Sequence, residues 1–134
     1  MRRFEQVQTG EQLETLIVPI TVPLVVGGGI ATRDYFPGHH DLEAAQALGS
    51  PHIFMNILTT NGLVQRFIEQ WSGPDLRFKT FKIKLGAPNY PGDVMKLSGA
   101  VSALDADSRC VEITLKGQNS MGSHVSGTVS VVLP

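Results

Sequence analysis

The sequence predicts an α+β fold in which one antiparallel sheet covers one long helix. Residues 53–74 place apolar side chains at three- and four-residue steps, which is the period of an amphipathic helix. From Phe81 onward the apolar period is two, which is typical of strands with one buried face. Such a helix and such strands bury their apolar faces against each other in two layers. The length of 134 residues is close to the commonest size of one domain, so we expect residues 1–134 to form a single domain.

Two features are predicted before the long helix. The glycine-rich segment "VGGGIA" (residues 26–31) indicates a bent strand where the backbone needs clearance. A short helix then follows, because Asp41 is a good N-cap residue, Glu43 and the alanines after it favour helix, and Gly49 is a typical stop. The long helix after it ends at the Gly73-Pro74 pair.

Four strands are predicted after the long helix. The first alternates through Phe81, Ile83 and Leu85 until "GAPNYPGD" breaks it, and three more alternating runs lie at 95–101, 111–115 and 125–133. Short turns separate these last runs. We therefore expect an antiparallel meander.

Composition and charge exclude several classes of protein. The chain is 42% hydrophobic with a net charge of −1, which is typical of a globular protein and argues against nucleic acid or a membrane surface as partners. Prolines and glycines interrupt the apolar stretch 16–31, which is shorter than the roughly 20 residues of a membrane span. Acidic residues separate the basic start from that stretch, so no secretory signal is expected. A single cysteine, Cys110, cannot form an internal disulfide, and we expect a cytoplasmic protein.

The segment "RDYFPGHHD" (residues 33–41) concentrates ionisable side chains around a Pro-Gly turn. Asp34 and His39 could hold the same water molecule if they lie on the two sides of the turn. Taken alone, nine such residues are also typical of a solvated loop. His39, His40, Asp41 and His52 match no established spacing of metal ligands, so we expect no metal.

These residues resemble the MaoC-like (R)-specific enoyl-CoA hydratases, which have the hot-dog fold, a curved antiparallel sheet wrapped around one long central helix. The resemblance includes the Asp-x4-His motif in "DYFPGH", the strand and turn "KLGAPNYPGD" and the closing hairpin "GQNSMGSHVSGTVSVVLP". The strings "ATRDYFPGHHD" and "IFMNILTTNGLVQRFI" look most similar to small hydratase subunits of actinobacterial steroid side-chain degradation, which pair with a second MaoC-like chain.

The resemblance implies hydration of a trans-2-enoyl-CoA thioester to the 3-hydroxyacyl-CoA, without a metal or redox cofactor. Asp34 and His39 would be the catalytic pair, and the residues leave open which of them is the base. The backbone N–H of Asn56 would stabilise the thioester oxygen at the start of the long helix, with Asn61 near the substrate pocket. The chain departs from the family at Phe36, where asparagine is common, and at Asn56, where glycine is usual.

Two other functions remain open on the same fold. The chain could be a non-catalytic subunit that completes or stabilises a catalytic partner. Thioester hydrolysis is the other alternative, but many hot-dog thioesterases carry a carboxylate on the long helix, and this helix has none before Glu69. An unpaired edge strand predicts association with another hot-dog chain, as a hetero-oligomer or a homodimer.

Overall fold

A computed structural model describes residues 1–134 as one five-stranded antiparallel sheet and three α-helices. The strands are β1 (Leu16–Pro19), β2 (Arg77–Leu85), β3 (Val94–Asp105), β4 (Cys110–Asn119) and β5 (Gly122–Val132). The helices are α1 (Val22–Ala31), α2 (Leu42–Ala47) and α3 (Ile57–Ser72). The predicted short helix is α2, capped by Asp41, and the predicted long helix is α3, which ends at Gly73.

The order of strands across the sheet is β1-β3-β4-β5-β2. The expected meander is therefore confirmed for β3, β4 and β5 but wrong for β2, which pairs with β5 at the far edge. The connection from β2 to β3, residues 86–93, crosses the end of the β4–β5 hairpin. It is fixed there because Asn119 Nδ2 donates to the Pro88 carbonyl at 2.9 Å and Asp93 accepts from Ser120 Oγ at 2.7 Å.

The core lies between α3 and the sheet. One face of α3 is buried, and Val64, Phe67 and Ile68 on it are at most 2% exposed. These side chains belong to a cluster of 22 buried hydrophobic residues that includes the inward-facing positions of β3, β4 and β5. Burial on this scale is the main favourable term in folding, and it fixes where α3 begins relative to the sheet.

The prediction of a bent strand at "VGGGIA" is wrong, because these residues lie in α1. Thr21 caps this helix by accepting from Leu24 N at 3.1 Å, and Pro23 occupies its first turn, where a missing N–H costs nothing. The need for backbone clearance is real, however, because a side chain at Gly28 would overlap the Thr59 side chain of α3. Gly28 therefore lets α1 approach α3 closely, and Gly29 leaves room for the His40 ring.

The end of α1 places Asp34. Arg33 adopts a left-handed backbone (φ 56°), Arg33 N donates to the Ile30 carbonyl at 3.1 Å and Asp34 N donates to the Gly29 carbonyl at 2.9 Å. This is the Schellman pattern that terminates many helices. Asp34 is thereby held three residues beyond the last helical residue, Ala31.

No helix of the chain combines the length and the apolar character needed to cross a membrane.

Candidate active site

His39 is the more buried member of the predicted pair. It ends a 3-10 turn formed by Pro37–His39 and is 7% exposed. Its Nδ1 lies 2.6 Å from the Phe54 carbonyl oxygen, which can only accept, so Nδ1 carries a proton. In the neutral ring Nε2 is then the unprotonated nitrogen, and it lies 3.4 Å from Oδ2 of Asp34. The structure therefore brings the predicted pair together.

The Asp34 carboxylate is held by two donors. Phe36 N donates to Oδ1 at 3.2 Å, and the Asn56 side-chain amide donates to Oδ2 at 3.0 Å. These bonds favour the charged form and lower the pKa of Asp34, with the Asn56 amide as the largest cause and the Phe36 N–H next. Nearby His39 and His40 add smaller electrostatic effects in the same direction. Asp34 is therefore an ionised acceptor at neutral pH.

Asp34 and His39 are placed so that both could accept a hydrogen bond from one water molecule. The Asp34 carboxylate and the Nε2 of neutral His39 are both acceptors, and they face each other across 3.4 Å. A water molecule has two hydrogens and could donate one to each group. Its oxygen lone pairs would remain free for attack on an electrophilic carbon.

The start of α3 lies beside this pair. Asn56 is the N-cap residue and is 2% exposed, and its backbone N–H makes no hydrogen bond within the chain. It lies at the positive end of the helix dipole, where an oxyanion would be favoured. Its role as the oxyanion donor stays a prediction. Asn61, the predicted substrate contact, is half-buried further along α3 and makes no hydrogen bond to the pair.

The other histidines have structural partners. His40 donates from Nε2 to the Asp34 carbonyl at 2.6 Å, which stabilises the turn between α1 and α2. His52 accepts from Ile53 N through Nδ1 at 2.8 Å. His124 is 3% exposed and is bonded through both ring nitrogens.

Sequence reasoning missed the polar side chains that support Asp34. The side chains of Asn56, Thr59 and Thr32 form a hydrogen-bonded chain from α3 to the end of α1. An asparagine just before an amphipathic helix is a signal for an N-cap, and it could have been read as one. No local signal connects Asn56 to Asp34, because the contact joins residues 22 positions apart.

The pair lies on an open, apolar part of the surface. Tyr35 is 69% exposed, and Phe36, Ile57 and Leu58 are each about half exposed around it. Two cavities, of about 530 and 460 Å³, lie elsewhere, against Trp71 and against Gly99, and neither is lined by Asp34 or His39. Asp34 and Tyr35 therefore face the open surface and neither of these cavities.

Known proteins similar to this chain share this architecture. No family model matches the sequence. A curated relative from Mycobacterium tuberculosis, the 3-oxo-4,17-pregnadiene-20-carboxyl-CoA hydratase beta subunit, is 40% identical over 107 residues, which are 80% of this chain and 81% of the relative.

Solved structures extend the similarity to almost the whole chain. A chain of the ChsH1-ChsH2 complex from Mycobacterium tuberculosis matches with a TM-score of 0.92 and 36% identity, over 96% of this chain and 99% of that one. The (R)-hydratase from A. caviae involved in PHA biosynthesis matches with a TM-score of 0.88 and 19% identity, over 97% and 99% of the two chains. The fold is thus the hot-dog fold. The chain belongs to the MaoC-like (R)-specific enoyl-CoA hydratase family.

Proposed function

We propose that this chain hydrates a trans-2-enoyl-CoA thioester to its 3-hydroxyacyl-CoA through Asp34 and His39. The observation that carries the proposal is the 3.4 Å approach of Asp34 Oδ2 to His39 Nε2, with His39 Nδ1 committed to the Phe54 carbonyl. Hydration requires a base for water and an acid for the α-carbon. The two acceptors would hold the water molecule, and the start of α3 beside them would hold the thioester oxygen.

His39 is the better base of the two. Asn56 and Phe36 already donate to Asp34 and lower its pKa, so its carboxylate is a weak base. His39 Nε2 takes a proton from water as the water oxygen bonds to C3, and the π electrons move toward the thioester oxygen. The resulting imidazolium is stabilised by the Asp34 carboxylate and the Phe54 carbonyl, and it returns the proton to C2. Water is added in full, and the chemistry uses no metal or redox cofactor.

The thioester oxygen gains negative charge during this reaction. The Asn56 backbone N–H, at the positive end of α3, is the proposed donor to it. Asn61, further along the same helix and half-buried, is the proposed substrate contact. The acyl group is proposed to be a steroid side chain, since the 40% identical relative is named for such a CoA thioester.

A second MaoC-like chain is the proposed partner. Residues 1–134 would act as one hot-dog unit, and its pair of catalytic side chains lies on an open surface that a partner could close. Strand β2 bonds only to β5, so its other edge is free. Its charged residues are Arg77, Lys79, Lys82 and Lys84, without an acidic residue, so pairing with a copy of itself would oppose like charges. A different, acidic edge strand fits better. The expected compartment is the cytoplasm.

A panel of enoyl-CoA esters, from crotonyl to steroid-linked, tests the function. The purified chain is assayed with and without a co-expressed MaoC-like partner, by loss of enoyl absorbance. Hydration that falls by orders of magnitude in Asp34→Asn supports the proposal. Lack of activity on every ester, even with the partner, would favour the non-catalytic alternative, and release of free CoA would favour thioester hydrolysis.

Charge reversal at the free edge tests the partner. Lys82→Glu with Lys84→Glu should weaken the complex with the second chain, and Lys96→Glu on β3 serves as a matched exposed control. Light scattering should show more dissociation of the complex for the Lys82→Glu and Lys84→Glu variant than for Lys96→Glu. Full hydratase activity of the chain without any partner would contradict an obligate heteromer.

A further inference from the structure

We propose that Asn56 is a positioning residue whose side-chain amide aims the Asp34 carboxylate for hydration. The inference rests on the proposed function of the Asp34 and His39 pair. It concerns the side chain of Asn56 and is separate from the backbone N–H of the same residue. The Asn56 residue is 2% exposed, so its polar atoms need partners within the protein.

The hydrogen bonds of Asn56 fix which way its amide points. Its Oδ1 accepts from both the backbone N–H of Thr59 at 3.0 Å and the hydroxyl of Thr59 at 2.5 Å. A backbone N–H can only donate, so the atom facing it must be the amide oxygen. The amide nitrogen is therefore directed the other way, toward α1 and Asp34.

Both hydrogens of that nitrogen are used. Nδ2 donates to Oγ1 of Thr32 at 2.9 Å and to Oδ2 of Asp34 at 3.0 Å. Thr32 Oγ1 donates its own proton to the Gly28 carbonyl at 2.8 Å, so it must be the acceptor in its bond with Asn56 Nδ2. The amide makes four hydrogen bonds and has no other orientation that satisfies them.

The contact acts on the atom that faces His39. Oδ2 of Asp34 receives the Asn56 N–H and also lies 3.4 Å from His39 Nε2. The titratable groups that act on this carboxylate are His39 and His40, both on the turn that follows it. The Asn56 amide has a larger effect on the pKa of Asp34 than either histidine. Removing the amide should free the carboxylate to rotate and raise its pKa.

Variants of Asn56 can separate its contact with Asp34 from its capping of α3. Serine caps helices about as well as asparagine, but its hydroxyl is too short to replace the Nδ2 contact with Asp34. In Asn56→Ser we expect kcat to fall about 10- to 100-fold, because a small misplacement of a catalytic group is costly. The backbone N–H of residue 56 remains, so the proposed oxyanion contact is not removed. Asn56→Asp also keeps the cap but places a like charge beside Asp34.

The decisive readout is the titration of Asp34 itself. Carboxyl carbon NMR should show the pKa of Asp34 rising in Asn56→Ser and rising further in Asn56→Asp. Thr21→Ala is the matched control, because it weakens the cap of α1 and should leave both the pKa of Asp34 and kcat unchanged.

Two results would overturn the proposal. The first is an unchanged Asp34 pKa in the folded Asn56→Ser variant, which would mean that the amide only supports the fold, and the second is a raised pKa with wild-type kcat. If the wild-type chain hydrates no thioester, the proposed function fails, and the NMR titration still decides separately whether the amide holds the carboxylate ionised.

Discussion

His39 and His124 are held alike on one side of the ring and differently on the other. In each, Nδ1 lies 2.6 Å from a backbone carbonyl, that of Phe54 for His39 and that of Ala87 for His124. Both residues are nearly buried, at 7% and 3% exposure. Burial and a fixed tautomer therefore do not distinguish them.

The difference lies at Nε2. In His124 this nitrogen accepts from the hydroxyl of Thr60 at 2.8 Å, and Thr60 is fully buried, so the ring is closed off. In His39 it faces the Asp34 carboxylate, whose side chain is 28% exposed. An imidazole can exchange protons with a substrate only where one nitrogen is both basic and reachable. The comparison indicates that the two rings differ in whether Nε2 is closed off by a buried neighbour.

The largest expected effect is on turnover when His39 is changed. His39→Gln should lower kcat about 10²- to 10⁴-fold, the usual contribution of a positioned acid or base. The glutamine amide can still donate to the Phe54 carbonyl, so the fold should persist. Steady-state kinetics and circular dichroism of the same sample measure both properties. A folded variant with turnover within tenfold of wild type would remove His39 from the mechanism.

A change at His124 should lower the stability of the fold and leave kcat nearly unchanged. His124→Leu leaves the Ala87 carbonyl without its donor and the Thr60 hydroxyl without its acceptor, and a buried polar group left without a partner costs about 1–3 kcal/mol. We expect the free energy of urea unfolding to fall by that amount while kcat stays within about threefold of wild type, since the ring touches no reacting atom. A large loss of kcat with unchanged stability would reverse the assignment.

Acid pH should also act on stability through His124. Burial lowers the pKa of His124 in the folded chain, and the Ala87 carbonyl opposes this only in part. The unfolded chain binds the proton more tightly, with a pKa near 6.5, so the stability is fully present above that pH and decreases as the pH falls toward the folded pKa. Urea unfolding between pH 7 and 5 should show this slope in the wild type and a flatter one in His124→Leu. Equal slopes of stability against pH in the two proteins would mean that His124 does not cause the loss of stability in acid.

Much of the scaffold around these histidines could be predicted from the sequence. Helices α2 and α3 and strands β3, β4 and β5 follow from local period, caps and turns, which are properties of neighbouring residues. The place of β2 beside β5 could not be predicted, because strand adjacency is decided by contacts far apart in sequence. The burial of α1 against α3 was missed for another reason. Three glycines lower helix propensity, and the clearance that Gly28 gives Thr59 and Gly29 gives His40 is visible only in the packed structure.

The site shows the same limit. Asp34 and His39 lie on one turn, so their proximity could be predicted from a short motif. The Phe54 carbonyl that fixes the tautomer of His39 and the Asn56 amide that holds Asp34 come from a segment 15 to 22 residues later. Only the packed structure brings them together. A motif therefore predicted which side chains could react, and the fold determines which atom of each is free.

The smallest expected effect concerns the backbone that carries Asp34. Arg33 has a φ of 56°, a left-handed conformation that costs a non-glycine residue about 1–2 kcal/mol, whereas glycine adopts it freely but loses more entropy on folding. Arg33→Gly should therefore raise the free energy of urea unfolding by a few tenths to about 1 kcal/mol. The side-chain bonds to Asp34 are untouched, so kcat should stay within about twofold. Arg109→Gly, at φ 55°, should gain less, because Arg109 also pairs with Glu5 at 2.7 Å. A lower stability of Arg33→Gly, or a clear loss of turnover, would mean that the arginine itself holds Asp34 in place.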